Sequence, residues 1–331
     1  MLFSNYSAYS SFVPLRHYFR TRMVSYDLYA HILRANMPGT ELKSNHAESL
    51  RLYRLLILTL LLPSAQLFAD QITIPAGPFI MGSDRAEREL GYQLDEARGS
   101  HFARQYRWFE NETRRTPTLP TYRIDRTPVT QSQYQKFIMA TNHPQPGVDA
   151  KTWASYRLIY PYRTALRYSW QHGQPPAGRQ LHPVVLVTAA DAETYCAWRG
   201  SIEGKQLQLP SEAEWEKAAR GALGRIFPWG DQFDPKRLNS EDDGPGGTEP
   251  VANRPGGISP YGVADMAGQV FEWTRTLCPG DQSKRIVKGG SWDDYPGVTR
   301  AAAHHCRPAI LKHVLIGFRC VEALSRPSMN Q

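Results

Sequence analysis

Residues 266–274 read Met-Ala-Gly-Gln-Val-Phe-Glu-Trp-Thr, and Gly-Gly-Ser-Trp follows at 289–292. Phe227-Pro228-Trp229-Gly230, Gly256-Gly257 and Gly289-Gly290 punctuate the surrounding chain, so from Gly221 onward it reads as turns and short strands. Working back from there, Ser211 with Glu214 caps a helix that runs to Arg220 and stops at Gly221. Thr188 opens an earlier helix, with Asp191 completing a capping-box variant. Thr130 opens another, in which Tyr134, Phe137 and Ile138 share one face. Farther out, residues 71–75 alternate like a first strand closed by Gly77 and Pro78, and residues 122–125 form a second. Residues 84–118 are charged and weakly periodic, and read as a loop or inserted excursion. Residues 142–183 are aromatic and rich in Pro and Gly, and read as an ordered surface excursion. The expected fold class is α+β, with helices early and irregular β late.

The chain has 331 residues, 21% of them charged and 41% hydrophobic, which excludes a disordered, collagen-like or multi-span membrane protein. Its 25 Gly and 25 Pro, beside 17 Tyr and 8 Trp, point to short elements and many loops on an aromatic core. The net charge of +8 divides evenly: residues 1–69 hold seven Lys/Arg against three acids, and the remainder carries the other half. No basic run stands out after residue 69, so no nucleic-acid partner is expected.

The apolar run at residues 55–62 follows Arg51 and Arg54 and precedes a stretch ending in Phe68-Ala69. A basic flank, a short apolar core and a small exit residue describe a secretory signal. The run is shorter than the roughly 20 residues a membrane span needs. The expected organisation is an N-terminal extension and signal peptide over 1–69, then a single domain over 70–331. Met37 is a sensible alternative start, since an ordinary signal has a shorter leader. The expected location is periplasmic or secreted, with no membrane contact beyond the signal segment, and the protein is expected to be a monomer. In an oxidising compartment the four cysteines invite disulfides, and sequence alone permits three pairings.

An ordered set of stretches then resembles one family. They include Ile74-Pro-Ala-Gly-Pro-Phe-Ile-Met-Gly-Ser83, Ile124-Asp-Arg-Thr-Pro-Val-Thr-Gln-Ser-Gln-Tyr134, Leu209-Pro-Ser-Glu-Ala-Glu-Trp-Glu216, Phe227-Pro-Trp-Gly230, the two stretches quoted at the outset, and Gly317-Phe-Arg319. In this order and spacing they resemble the formylglycine-generating enzyme, or sulfatase-modifying factor, family. The resemblance covers about residues 72–322. It implies a fold related to C-type lectin domains, with little regular secondary structure.

Active members of that family carry two cysteines shortly after Gly-Gly-Ser, which bind copper(I) and use oxygen to oxidise a substrate cysteine. The corresponding stretch here, residues 289–300, ends at Arg300 and contains no cysteine. Asp293 and Asp294 are hard ligands that do not replace soft thiolates. Copper-dependent formylglycine synthesis is therefore not expected. Trp273, Ser291, Trp292 and Arg300 match family positions at the cleft, where they line the pocket or support its loop. The resemblance also implies a Cys196–Cys320 bridge, a stabilisation of ~3–5 kcal/mol. Cys278 and Cys306 remain open among a structural disulfide, a redox or metal-binding pair, and free thiols. His304, His305 and Cys306, with Asp293 and Asp294 near in sequence, are candidate catalytic or metal-binding residues, although adjacent side chains point apart in extended chain. For calcium, the resemblance implies Asn239, Ser240 and Asp243 at one site, and Ala267, Gly268, Val270 and Glu272 at another, the second departing less from the family pattern. Glu272 alternatively organises its loop by accepting N–H bonds.

The expected function is an exported accessory or maturation factor, related to pyoverdine-maturation and nitrite-reductase-associated members, that acts on or binds a peptide, protein or peptide-derived partner. The alternatives are a non-catalytic lectin-like binding module and an oxidase with a non-standard metal or redox site. Fold analogy alone assigns no reaction.

Overall fold

A computed structural model describes residues 70–324, which lie within the unit Ala65–Gln331. The chain enters as β1 (Gln71–Ile74) and β2 (Gly77–Pro78), then α1 (Arg85–Glu96) and the single turn α2 (Phe102–Gln105), and returns as β3 (Thr118–Leu119) and β4 (Tyr122–Asp125). Helices α3 (Gln131–Thr141), α4 (Ala150–Ser155), α5 (Tyr162–Leu166) and α6 (Ala189–Glu203) follow, then β5 (Leu207–Gln208) and α7 (Glu212–Arg220). The last part holds β6 (Phe271–Cys278), β7 (Asp281–Lys288), β8 (His304–Pro308), β9 (Ile316–Gly317) and β10 (Val321–Ala323).

The helices at Thr130, Thr188 and Ser211 begin at the expected caps, each closed by a reciprocal capping box. In each, the cap hydroxyl accepts from the N3 amide and the N3 side chain accepts from the cap amide, satisfying two orphan donors of the first turn. Helix α7 ends at Gly221, also as expected.

Two expectations are corrected. Residues 85–96, read as loop, form α1, whose buried residues are Glu87, Gly91, Tyr92 and Asp95. That face is mostly polar, so a search for apolar period finds nothing. The excursion over 142–183 contains α4 and α5. The proposed signal segment lies outside the described residues.

One sheet runs β1-β4-β10-β5, and a second runs β8-β7-β6-β9, with β6 and β9 parallel and the remaining pairs antiparallel. Aromatic side chains of α3, α6 and the excursion, among them Tyr134, Phe137, Tyr168, Trp170 and Tyr195, belong to the larger core. Several charged groups inside the protein are paired. Arg199 forks onto Asp125 at 2.7 and 2.6 Å, and Arg300 onto Glu112 at 3.0 and 2.8 Å. Lys288 meets Glu216 at 2.8 Å. Removing one member of such a pair leaves an uncompensated charge, at a cost of about 3–5 kcal/mol. Cys196 and Cys320 are joined and fully buried, tying α6 to the chain just before β10. Cys278 and Cys306 are joined as well, so no cysteine is free.

Candidate functional site

Strand β8 divides the site. Side chains alternate along a strand, and here the alternation separates two cavities. His304 and Cys306 line one of about 410 Å³. Arg307 lines another of about 760 Å³, which also reaches Pro308 at the end of the strand. His305 sits on the side of the larger cavity, its ring edge-on to Trp108 at 5.1 Å and to Phe271 at 5.5 Å. Trp108 and Phe271 both belong to that cavity's wall.

Apolar side chains, including Phe102, Leu311 and Ile316, wall the larger cavity, and a few polar groups converge on it. Asp293 and Asp294 come from the loop after Gly-Gly-Ser-Trp, Asp95 from the last turn of α1, and Tyr160 from the segment between α4 and α5. Asp294 accepts from the Ser291 hydroxyl at 2.5 Å, yet burial pushes its carboxyl up to about 6. Burial pushes Asp95 up to about 7, although the Gly297 N–H donates to it at 2.6 Å and Arg300 opposes the rise. The approach is close: a Cβ at Gly297 would lie 2.7 and 2.8 Å from the two Asp95 oxygens. Asp293 is also raised by burial while accepting from the Tyr160 hydroxyl, and burial and Asp293 together raise that phenol. Buried carboxyls favour the neutral acid, so Asp95 and Asp294 exchange protons near neutral pH, where general acid–base work is done.

Arg307 supplies the opposite character. Its one hydrogen bond goes to the Cys306 carbonyl at 3.2 Å, and it makes no ion pair among the described residues. It retains some exposed area yet is nearly enclosed by protein, because that area faces the cavity. Burial lowers its pKa, and Asp294 and Tyr160 oppose this. His313 is pushed down to about 3 by burial and Arg307, and is neutral. It stacks on Trp153 at 5.7 Å, and its Nδ1 accepts from the Leu315 amide at 3.2 Å. A guanidinium without a carboxylate partner in an apolar pocket is a site for a ligand carboxylate or phosphate.

The residues selected from sequence are distributed differently. Trp273, Ser291, Trp292 and Arg300 are buried and stand behind the cavity rather than lining it. Trp273 donates to the Val187 carbonyl at 3.0 Å, and Arg300 is engaged by Glu112 and the Phe109 ring. Ser291 acts through Asp294. His304 and Cys306 face away from Asp293 and Asp294, and the Cys306 sulfur is held in a disulfide. The suggested joint site of His304, His305, Cys306 and Asp294 is therefore not assembled, and among the described residues no group of three or more His, Cys, Asp or Glu is placed to hold a metal ion. Sequence reading missed Asp95, Tyr160, Arg307 and His313. Arg307 was within reach of it, lying two residues from His305 on the same strand face.

The two oxygen-rich groups also depart from expectation. Glu272 receives Arg319 at 2.7 Å on each oxygen and Trp215 Nε1 at 2.8 Å, so it organises its loop rather than presenting free oxygens. Asp243 pairs with Lys236 and Arg254. Asn239 Oδ1 and Ser240 Oγ, by contrast, are buried without a protein partner. A Cβ at Gly244 would lie 2.3 Å from Asn239 Oδ1 and 2.6 Å from the Ser240 carbonyl, which makes this a tight oxygen cradle. The first group fits a hard cation better than the second, the reverse of the sequence reading.

The profile of the sulfatase-modifying factor enzyme 1-like domain matches residues 59–324. The chain belongs to this family. This sulfatase-modifying-factor protein is 30% identical over 295 residues to the inactive C-alpha-formylglycine-generating enzyme 2 of Mus musculus, covering 77% of this chain and 86% of the relative. It is 29% identical over 302 residues to the formylglycine-generating enzyme of Streptomyces coelicolor, covering 76% and 88%. Among solved structures, PvdO from Pseudomonas aeruginosa shares the fold, with a TM-score of 0.60 at 23% identity over 78% of this chain and 96% of that one. The α+β fold of the sulfatase-modifying factor family is thus established. Its two disulfides suit an oxidising environment. No helix among the described residues is long and apolar enough to cross a membrane.

Proposed function

We infer that this protein is an exported accessory or maturation factor, periplasmic or secreted and monomeric, that takes a peptide, protein or peptide-derived partner into the larger cavity and does not synthesise formylglycine with copper. One observation carries the reading. The loop after Gly-Gly-Ser-Trp offers carboxyls instead of thiols, and every cysteine of the chain is closed in a disulfide. Copper(I) needs soft donors, and the residues present do not fit it.

The cavity supports a partner with an acidic group. Arg307 would anchor the anion, the apolar wall would take adjoining side chains, and Asp294 or Asp95 would accept or return a proton. Calcium, held by Asn239 and Ser240 with neighbouring carbonyls, would stiffen the loop beside the site. An oxidase with a metal at His304 is disfavoured by the strand alternation that separates it from Asp294.

The test has two parts. Purified oxidised protein is titrated with copper(I) and incubated with a cysteinyl peptide in air; no stoichiometric uptake and no aldehyde are expected. Peptides with and without a free carboxylate are then screened by thermal shift against the parent and the Arg307→Met variant. Acidic peptides should stabilise only the parent. Aldehyde formation with stoichiometric copper overturns the negative half of the reading. Equal stabilisation of both proteins overturns the role of Arg307.

A further inference from the structure

The smaller cavity carries a feature that the proposed function does not use. Its wall contains the Cys278–Cys306 disulfide, together with His304, Glu212 and Glu216. The two bridges of this protein differ in setting. Cys196 and Cys320 are fully buried, whereas Cys278 and Cys306 are only half-buried and line an open cavity.

Their place in the sheet differs as well. Cys278 ends β6 and Cys306 lies on β8, the two strands that flank β7, and their Cα atoms are 5.6 Å apart. Strand β7 already pairs with both neighbours through backbone hydrogen bonds. Opening the bond therefore leaves the ladder in place. The loop it closes spans 28 residues, against 124 for the buried bridge. The β6–β7 register is also irregular beside Cys278.

We propose that Cys278–Cys306 is an exchangeable disulfide, and that the smaller cavity is a thiol–disulfide exchange site for a dithiol peptide or protein, independent of the chemistry of the larger cavity. In the first step a partner thiol attacks Cys278 Sγ. The Cys278–Cys306 bond breaks, a mixed disulfide forms between the partner and Cys278, and Cys306 leaves as the thiolate. The proton of the incoming thiol passes through the His304 imidazole to that thiolate; His304 stands two residues from Cys306 on the same strand face and lines the same cavity. In the second step the partner's other thiol attacks its own sulfur in the mixed disulfide. The partner is released as a disulfide, and Cys278 takes up the remaining proton. Two electrons move from the partner dithiol to the protein, which ends this single exchange with Cys278 and Cys306 as a dithiol; the reverse exchange with a partner disulfide restores the bond.

The test uses the full oxidised chain in graded reduced dithiothreitol buffers, with alkylation of free thiols, peptide mass mapping and near-ultraviolet circular dichroism. The Cys278–Cys306 bond should open at about tenfold less reductant than Cys196–Cys320, with the tertiary signal retained. The Cys306→Ser variant, whose Cys278 is left as a free thiol, should attack the oxidised, disulfide form of the peptide and trap a mixed disulfide at Cys278, releasing the peptide's other sulfur as a thiol. The His304→Gln variant should open several-fold more slowly at the same equilibrium midpoint, a kinetic effect that a packing role would not produce alone. Opening of both bonds together, or loss of the tertiary signal as Cys278–Cys306 opens, would show a structural clasp and overturn the proposal. Failure to trap the mixed disulfide in a folded Cys306→Ser protein would overturn it too. None of these results bears on Arg307, and the copper test is made on the oxidised protein, so this inference and the proposed function can fail separately.

Discussion

The behaviour of the larger cavity is set by two aspartates that differ in how their charge is compensated. Asp294 is raised to about 6 by burial, and the Ser291 hydroxyl is the main group holding it down. Ser291→Ala removes that donor, so the Asp294 midpoint should rise further; side-chain carbonyl NMR across pH 4–9 follows it directly, and an unchanged or lower midpoint would contradict the assignment. Asp95, at about 7, acts on stability. Its pKa in the fold lies above its unfolded value, so the native state binds the proton more tightly. The associated stability is fully present below about pH 4 and is lost as pH rises through about 7. Asp95→Asn fixes the neutral form while keeping an acceptor for the Gly297 amide. The variant should match the parent at about pH 4 and exceed it by a margin that grows up to about pH 7, reaching at least ~1–2 kcal/mol at pH 8 in urea unfolding. A variant that is weaker at pH 8 would show that the ionised carboxylate is needed by its neighbours.

Among the elements, α1 best separates what local sequence signals show from what they hide. The helices at Thr130, Thr188 and Ser211 were legible because a capping box lies within four consecutive residues and needs no knowledge of the partner surface. Helix α1 has a cap too, Asp84 accepting from the Glu87 amide. Its inward face, however, consists of Glu87, Gly91, Tyr92 and Asp95; only Tyr92 joins the apolar core, stacking on Phe109, and the carboxylates serve arginines and a loop. Glu87 meets Arg220 at 2.9 Å and Arg300 at 3.5 Å. The alternation of β8 was legible in part: sequence showed that His304 and His305 diverge, but not that two cavities lie on the two sides. Asp293 and Asp294 were legible through the Gly-Gly-Ser-Trp loop. Tyr160 was not, since it sits in a stretch without periodicity. Gly91 yields the test for this helix. A Cβ there would lie 2.5 Å from Arg300 Nε and 3.1 Å from the Phe109 ring, and Arg300 is locked by Glu112. Helix propensity alone favours Gly91→Ala by ~1 kcal/mol; overpacking costs about 1–3 kcal/mol. The expected net effect is a destabilisation of up to about 2 kcal/mol, read from the denaturant midpoint, and a stabilised variant would mean that α1 can move away from Arg300.

At the scale of the molecule, the question is what holds so loop-rich a chain in one shape around its cavities. Two disulfides and the buried Arg–carboxylate pairs account for much of it, and Glu272 belongs to that framework through Arg319. The unpartnered oxygens of Asn239 and Ser240 do not. Buried polar atoms without partners cost about 1–3 kcal/mol each, and a cation would remove that cost. If calcium binds there, the folded state gains about 2.7 kcal/mol at a hundredfold excess over Kd. For a domain of this size that corresponds to roughly 5–10 °C in Tm. Two variants separate the two oxygen-rich groups. Asn239→Ala should abolish the difference between calcium and chelator in a thermal melt. Glu272→Gln should lower Tm in both buffers, because Arg319 is left with an uncompensated charge, while the calcium response persists. If the folded Glu272→Gln protein lost the response and Asn239→Ala kept it, the cation would belong at the second group, and the Arg319–Glu272 fork would have to open to admit it.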